Sequence, residues 1–150
     1  MQIADCRLEI ADCRLNIQYS IPVTEEYHIS QARRRAGSMA RALGFTRVTT
    51  FYIMTSVSEL ANNLFFHTNQ GGTITLTPLV RIDNVGLEVI AEDQGPGIED
   101  IDLALQDGFS TNRGLGGGLP GVKRLMDEFE IISTVGVGTR IITRKWKIWK

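Results

Sequence analysis

The 150-residue sequence is 43% apolar and 22% charged, the composition of an ordinary globule long enough for a single hydrophobic core. Its 16 basic and 17 acidic residues leave a formal charge of -1, which gives no electrostatic reason to expect nucleic acid as a partner. No apolar run approaches the roughly 20 residues of a membrane span. Asp5, Arg7, Glu9, Asp12 and Arg14 interrupt any signal-peptide core, so the expected location is cytoplasmic, with no membrane contact. The basic tail from Arg144 to Lys150 reads as a solvated strand end.

Both cysteines, Cys6 and Cys13, lie in a tandem repeat, Ile3-Ala4-Asp5-Cys6-Arg7-Leu8 followed by Ile10-Ala11-Asp12-Cys13-Arg14-Leu15. Two copies are too few to sustain a coiled coil, and two cysteines without a nearby His make a poor metal site. Residues 1–15 are therefore read as a duplicated extension, native or translated from an upstream start, and 16–150 as the folded domain. Alternation at Leu15, Ile17, Tyr19 and Ile21 predicts a strand ended by Pro22. Ser30 is a candidate N-cap for a helix over 31–43, which Gly44 stops. A second helix is expected over 47–68, with Phe51, Met54, Val57, Ser58, Ala61, Leu64 and Phe65 facing the core. A hairpin follows over 73–82 and 86–92, then a short helix over 99–106 and an irregular Gly-rich stretch from 107 to 118. A helix over 119–128 and a closing hairpin, 130–135 and 139–146, complete the chain. This order predicts an α+β two-layer sandwich, a mixed but mostly antiparallel sheet with its helices on one face.

Three segments carry chemistry. On the second helix, Glu59, Asn63 and His67 are spaced four apart and share a face. An amide oxygen at Asn63 suits Mg²⁺, and the Glu59 carboxylate can take a proton from an attacking hydroxyl. A polar solvated helix face has the same pattern. The second segment, Asp93-Gln94-Gly95-Pro96-Gly97, ends a strand in a carboxylate and two glycines. Such a carboxylate can accept a hydrogen bond from the adenine amine, while Gly95 and Gly97 admit close backbone approach. Taken alone, the pattern also describes many surface turns. In the third, Gly114, Gly116, Gly117 and Gly118 precede a helix and can offer N–H groups to phosphates. The spacing is not that of a Walker A loop, and its place before the last helix is not that of a dinucleotide fold.

Together and in this order, the three segments resemble the GHKL superfamily, whose members share the Bergerat ATP-binding fold. Glu59 and Asn63 match its N box, Asp93-x-Gly95-x-Gly97 its G1 box and Gly114-x-Gly116-x-Gly118 its G2 box. Gly138-Thr139 matches the Gly-Thr pair on a late strand that supports the adenine-binding Asp. Within the superfamily, the segments 58–61, 105–111 and 118–129 are similar to the RsbT-like serine/threonine switch kinases of bacterial stress modules. The resemblance implies ATP and Mg²⁺ as cofactors, Glu59 as base, Asn63 as metal ligand, and Asp93, Thr139 and Lys123 among the nucleotide contacts. It also implies a STAS-domain antagonist as substrate and a PP2C-type phosphatase or sigma factor as a further partner. The rival expectation is an ATP-gated binding module, an anti-sigma factor or phosphatase activator with little kinase activity. Two positions depart from the family pattern: Asn62 stands where Arg is frequent, and Gly117 where a larger aliphatic residue is usual.

Overall fold

A computed structural model describes residues 17–68, 70–98, 101–105 and 118–147, the His67 side chain excepted. The reading of residues 1–15 as an extension lies outside them. The chain runs through β1 (Tyr19–Val23), α1 (Glu26–Ala42), α2 (Arg47–His67), β2 (Gly72–Val80) and β3 (Val85–Asp93). It continues through α3 (Ile101–Ala104), α4 (Gly118–Leu125), β4 (Glu128–Thr134) and β5 (Gly138–Trp146).

The five strands form one sheet in the order β1-β2-β3-β5-β4. Every pairing among the described residues is antiparallel, in keeping with the mostly antiparallel sheet expected and without the parallel pairing that a mixed one would add. The two hairpins make two of these pairings. Between β1 and β2 the chain makes two helical passes, α1 and α2, which return it to the sheet running the opposite way.

Side chains alternate across the strands, so one face collects Val23, Ile74, Leu76, Val89, Ala91 and Ile141, all buried. The helices pack on that face, with Ile53, Val57, Leu60 and Ala61 of α2 fully buried against it. The opposite face presents Thr75, Glu88, Glu92, Arg140 and Arg144. The result is the expected two-layer sandwich with helices on one face.

Several boundaries differ from expectation for local reasons. Pro22 does not end β1 but pairs with Thr73 inside it. β1 lies at the sheet edge, where the missing N–H can face outward. Helix α1 begins at Glu26, ahead of Ser30, because Glu25 and His28 form a reciprocal capping box, the His28 ring accepting the Glu25 backbone N–H at 3.0 Å. On α2, Phe51 is 56% exposed and Ile53 takes the core position assigned to it. Helix α4 stops at Leu125, and Glu128 instead opens β4 opposite Arg144.

Candidate functional site

The site is built where β3 ends. Asp93 is the last residue of that strand, between Gly72 on β2 and Thr139 on β5. Its Oδ1 accepts the backbone N–H of Gly95 at 2.9 Å, a tight turn that aims the carboxylate back over its own loop. No other hydrogen bond reaches the carboxylate among the described residues, so it retains accepting capacity.

Glycines set how closely the surrounding backbone approaches. A Cβ on Gly138, where φ is 148°, would stand 2.1 Å from the Asp93 carbonyl oxygen. At Gly97, where φ is 79°, it would stand 2.6 Å from the Thr134 carbonyl oxygen. Both positions therefore exclude other residues on steric and conformational grounds together. A Cβ on Gly95 would lie 3.1 Å from Asp93 Oδ1 and 3.3 Å from Thr68 Cγ2. The end of α2, which Thr68 caps, thus abuts the Asp93–Gly95 turn. Thr68 holds this junction by donating from its hydroxyl toward the carbonyls of Leu64, at 2.7 Å, and Gly71, at 2.9 Å.

Beside the carboxylate runs a row of hydroxyls. Thr139, 8% exposed, faces Asp93 on one side and Ser133 of β4 on the other. Its Oγ1 lies 2.8 Å from Ser133 Oγ, which also accepts the Ile98 backbone N–H at 2.7 Å. The turn on either side of Gly97 is fastened to the sheet by that bond and by the Gly136 N–H donating to the Pro96 carbonyl at 2.9 Å. Sequence reasoning missed Ser133, Thr68 and Gly72. Their roles depend on strand register and on the helix–sheet junction, and only the place of Ser133 opposite Thr139 in the last hairpin left a sequence signal.

The other candidates sit as follows. Glu59 is 1% exposed, and Asn63, one turn further along α2, is half-buried. Their helix reaches the strand ends through Leu64, whose Cδ2 would lie 2.7 Å from a Cβ on Gly72. Gly118 starts α4 at φ 72°, and the buried Leu119 and Val122 line the inner side of that helix, which packs on α2. Lys123 is exposed on α4. Gly114 and Gly116 lie outside the described residues. The structure therefore gathers Asp93, Gly95, Gly97, Gly138 and Thr139 at one junction with the end of α2, and seats α4 beside that helix. Among the described residues no group of three or more His, Cys, Asp or Glu is arranged to hold a metal ion, so any cation here would rely on amide oxygen, water and ligand phosphate. No helix among them is long and apolar enough to cross a membrane.

Comparison with known proteins agrees with this architecture. Residues 21–145 match the family described as the histidine kinase-like ATPase domain. The chain is 46% identical over 131 residues to the serine/threonine-protein kinase RsbT of Bacillus subtilis, covering 87% of this chain and 98% of that one. It is 35% identical over 122 residues to an anti-sigma F factor of a Thermoanaerobacter species, covering 78% of this chain and 84% of that one. A solved structure of RsbU and RsbW domains from Mycobacterium tuberculosis superposes with a TM-score of 0.58 at 16% identity. That match covers 89% of this chain and 33% of the other, and it speaks for the fold alone. The helices layered on an antiparallel sheet are those of a known family: the chain belongs to the histidine kinase-like ATPase domain family.

Proposed function

We propose that this protein is an ATP-dependent serine/threonine protein kinase of a bacterial partner-switching module, located in the cytoplasm, and that its substrate is a STAS-domain antagonist protein. The observation that carries the reading is the 46% identity to a serine/threonine kinase along 98% of that kinase's length, together with an intact set of motif residues.

In this reading Asp93 accepts a hydrogen bond from the exocyclic amine of adenine, using the capacity left beyond its bond to Gly95. Gly95 and Gly97 keep the floor of the pocket free of side chains, and Thr139, tied to Ser133, holds the strand beside the carboxylate. The glycine motif Gly114-x-Gly116-x-Gly118 would supply backbone N–H groups to the phosphates, and Lys123 would add positive charge. The amide oxygen of Asn63 is a suitable hard ligand for Mg²⁺, which when bound offsets phosphate charge. Glu59 receives the proton of the incoming Ser or Thr hydroxyl as that oxygen bonds to the γ-phosphorus and ADP leaves. Phosphoryl transfer asks mainly for positioning and charge stabilisation, so one carboxylate base is adequate.

The test is incubation with γ-labelled ATP and a candidate STAS-domain protein encoded beside this one. Transfer of label to Ser or Thr is expected. Nucleotide-dependent co-elution of the two proteins without label would overturn the kinase reading. It would favour an ATP-gated binding module, the reading that the anti-sigma F relatives support.

A further inference from the structure

The helical layer carries a concave surface at the opposite end of α2 from Asp93 and its glycine turn. A cavity of about 580 Å³ opens where the end of α1 meets the first turns of α2. Its apolar lining includes Phe45, Val48 and Phe51, and Arg41 and Arg47 stand over it. Arg33 lies along one wall, where its Nη1 donates to Ser58 Oγ at 3.0 Å and its guanidinium stacks 5.8 Å from the Phe51 ring. None of the residues lining the cavity is acidic, and none of the three guanidiniums makes an ion pair among the described residues.

Three features of this surface are costly without a ligand. Val48 is 60% exposed and Phe51 56%, neighbouring apolar side chains on the outside of a helix. Arg47 occupies the first turn of α2, which holds no acidic residue, so a cation sits at the positive end of the helix dipole. Thr50 lies beneath the same cavity, is only 4% exposed, and its buried hydroxyl has no hydrogen-bond partner among the described residues. A buried hydroxyl left unpaired is unfavourable, and this one marks the floor of the surface.

We infer that this groove docks an acidic amphipathic helix of a partner protein. Its carboxylates would meet Arg41 and Arg47, and its apolar stripe would cover Val48 and Phe51. A helix fits because the groove lies between two packed helices, and a third laid beside them repeats ridge-into-groove packing. Charge complementarity selects an acidic partner and would hasten encounter. The surface shares no residue with the candidate nucleotide site, so docking can hold even if phosphoryl transfer fails.

The probe is a fluorescein-labelled amphipathic helical peptide with a leucine stripe and a glutamate face, titrated by anisotropy against the full chain. Its counterpart carries lysine in place of glutamate. The glutamate peptide should bind at least about tenfold more tightly than the lysine peptide. In the double variant Arg41→Glu, Arg47→Glu that preference should invert, with ATP affinity unchanged. The neutral variant Arg41→Gln, Arg47→Gln serves if charge reversal disturbs folding, and should bind both peptides alike. Equal binding of the two peptides to the wild-type protein, binding of neither, or a preference that survives both variants would overturn the proposal. Competition by millimolar inorganic phosphate that displaces the glutamate peptide from Arg41 and Arg47 while Phe51→Ser leaves affinity unchanged would also overturn it, in favour of a simple anion site.

Discussion

Strands β3 and β5 run side by side between two ends that treat their carboxylates differently. At the far end Glu88 receives Arg144 at 2.8 Å, and the same guanidinium reaches Glu128 at 3.1 Å. Asp127 pairs with Lys145 at 3.2 Å and accepts the Trp146 backbone N–H at 2.7 Å, while the Trp146 indole donates to Glu128. Arg81 stacks over that indole at 4.6 Å. At the near end Glu92 still meets Arg140, at 3.8 Å, on the outer face. On the helix-covered face, however, the Asp93 carboxylate accepts one backbone N–H among the described residues, and its neighbours are glycines and hydroxyls. Carboxylates supplied with cations fasten strands together, whereas one left with unused acceptor capacity beside open backbone is prepared for a ligand. Variants at the near end should therefore change chemistry and binding more than stability, unless they touch the glycines.

The largest effect is expected from Glu59→Gln, which keeps the volume of a fully buried side chain but removes the base. Phosphoryl transfer should fall by about 10²–10⁴-fold while ATP affinity and the melting temperature stay near wild type. Single-turnover transfer assays alongside nucleotide titration separate these quantities. Equal transfer rates in the two proteins would remove Glu59 from the chemistry.

Gly138→Ala tests the claim that the near end is held by backbone proximity and not by charge. The added methyl would meet the Asp93 carbonyl at 2.1 Å, in a conformation side chains rarely adopt. A loss of about 3 kcal/mol in urea unfolding is expected, within the upper range for overpacking. Asp93→Asn separates binding from folding at the same place. It replaces a charged acceptor, so ATP affinity should drop by about 10–100-fold, as for hydrogen bonds to charged groups, with unfolding little altered. If the Asp93→Asn variant unfolded much more readily while still binding ATP, Asp93 would belong with the structural carboxylates of the far end.

Much of this arrangement is legible in the chain itself, for physical reasons. The limits of α2 follow from Gly44 before it and the glycines 71 and 72 after it, and the near end declares itself because a carboxylate followed by spaced glycines is a local pattern. What escapes depends on contacts between distant residues. Ser133 reaches Thr139 only through the register of β4 on β5, and Ile98 comes to it from 35 positions away. Periodicity places Phe51 in the core because α2 is apolar nearly all round, so the pattern alone does not tell its inner stripe from its outer one. The α1 cap is hidden in the sequence because Glu25 and His28 perform a task more often given to Ser or Thr.

The smallest expected effect belongs to the far end and fixes the other side of the comparison. The hydrogen bond from the Trp146 indole, followed by the Arg144 guanidinium, holds Glu128 below its ordinary value of 4.5. A carboxyl whose folded pKa is depressed adds stability above its unfolded value. That contribution is lost as pH falls through the lower, folded value. Between roughly pH 6 and pH 3 the wild type should therefore lose stability relative to Glu128→Gln, the two curves converging at the acid end. Glu128 is 47% exposed, so solvent screening keeps the difference within the about 0–1 kcal/mol of surface pairs. Urea midpoints across that range, read by the fluorescence of Trp146 and Trp149 together, measure it. Parallel pH curves for the two proteins would mean that the far-end carboxylates are no more engaged than Asp93, and the contrast between the two ends of the sheet would lose its electrostatic basis.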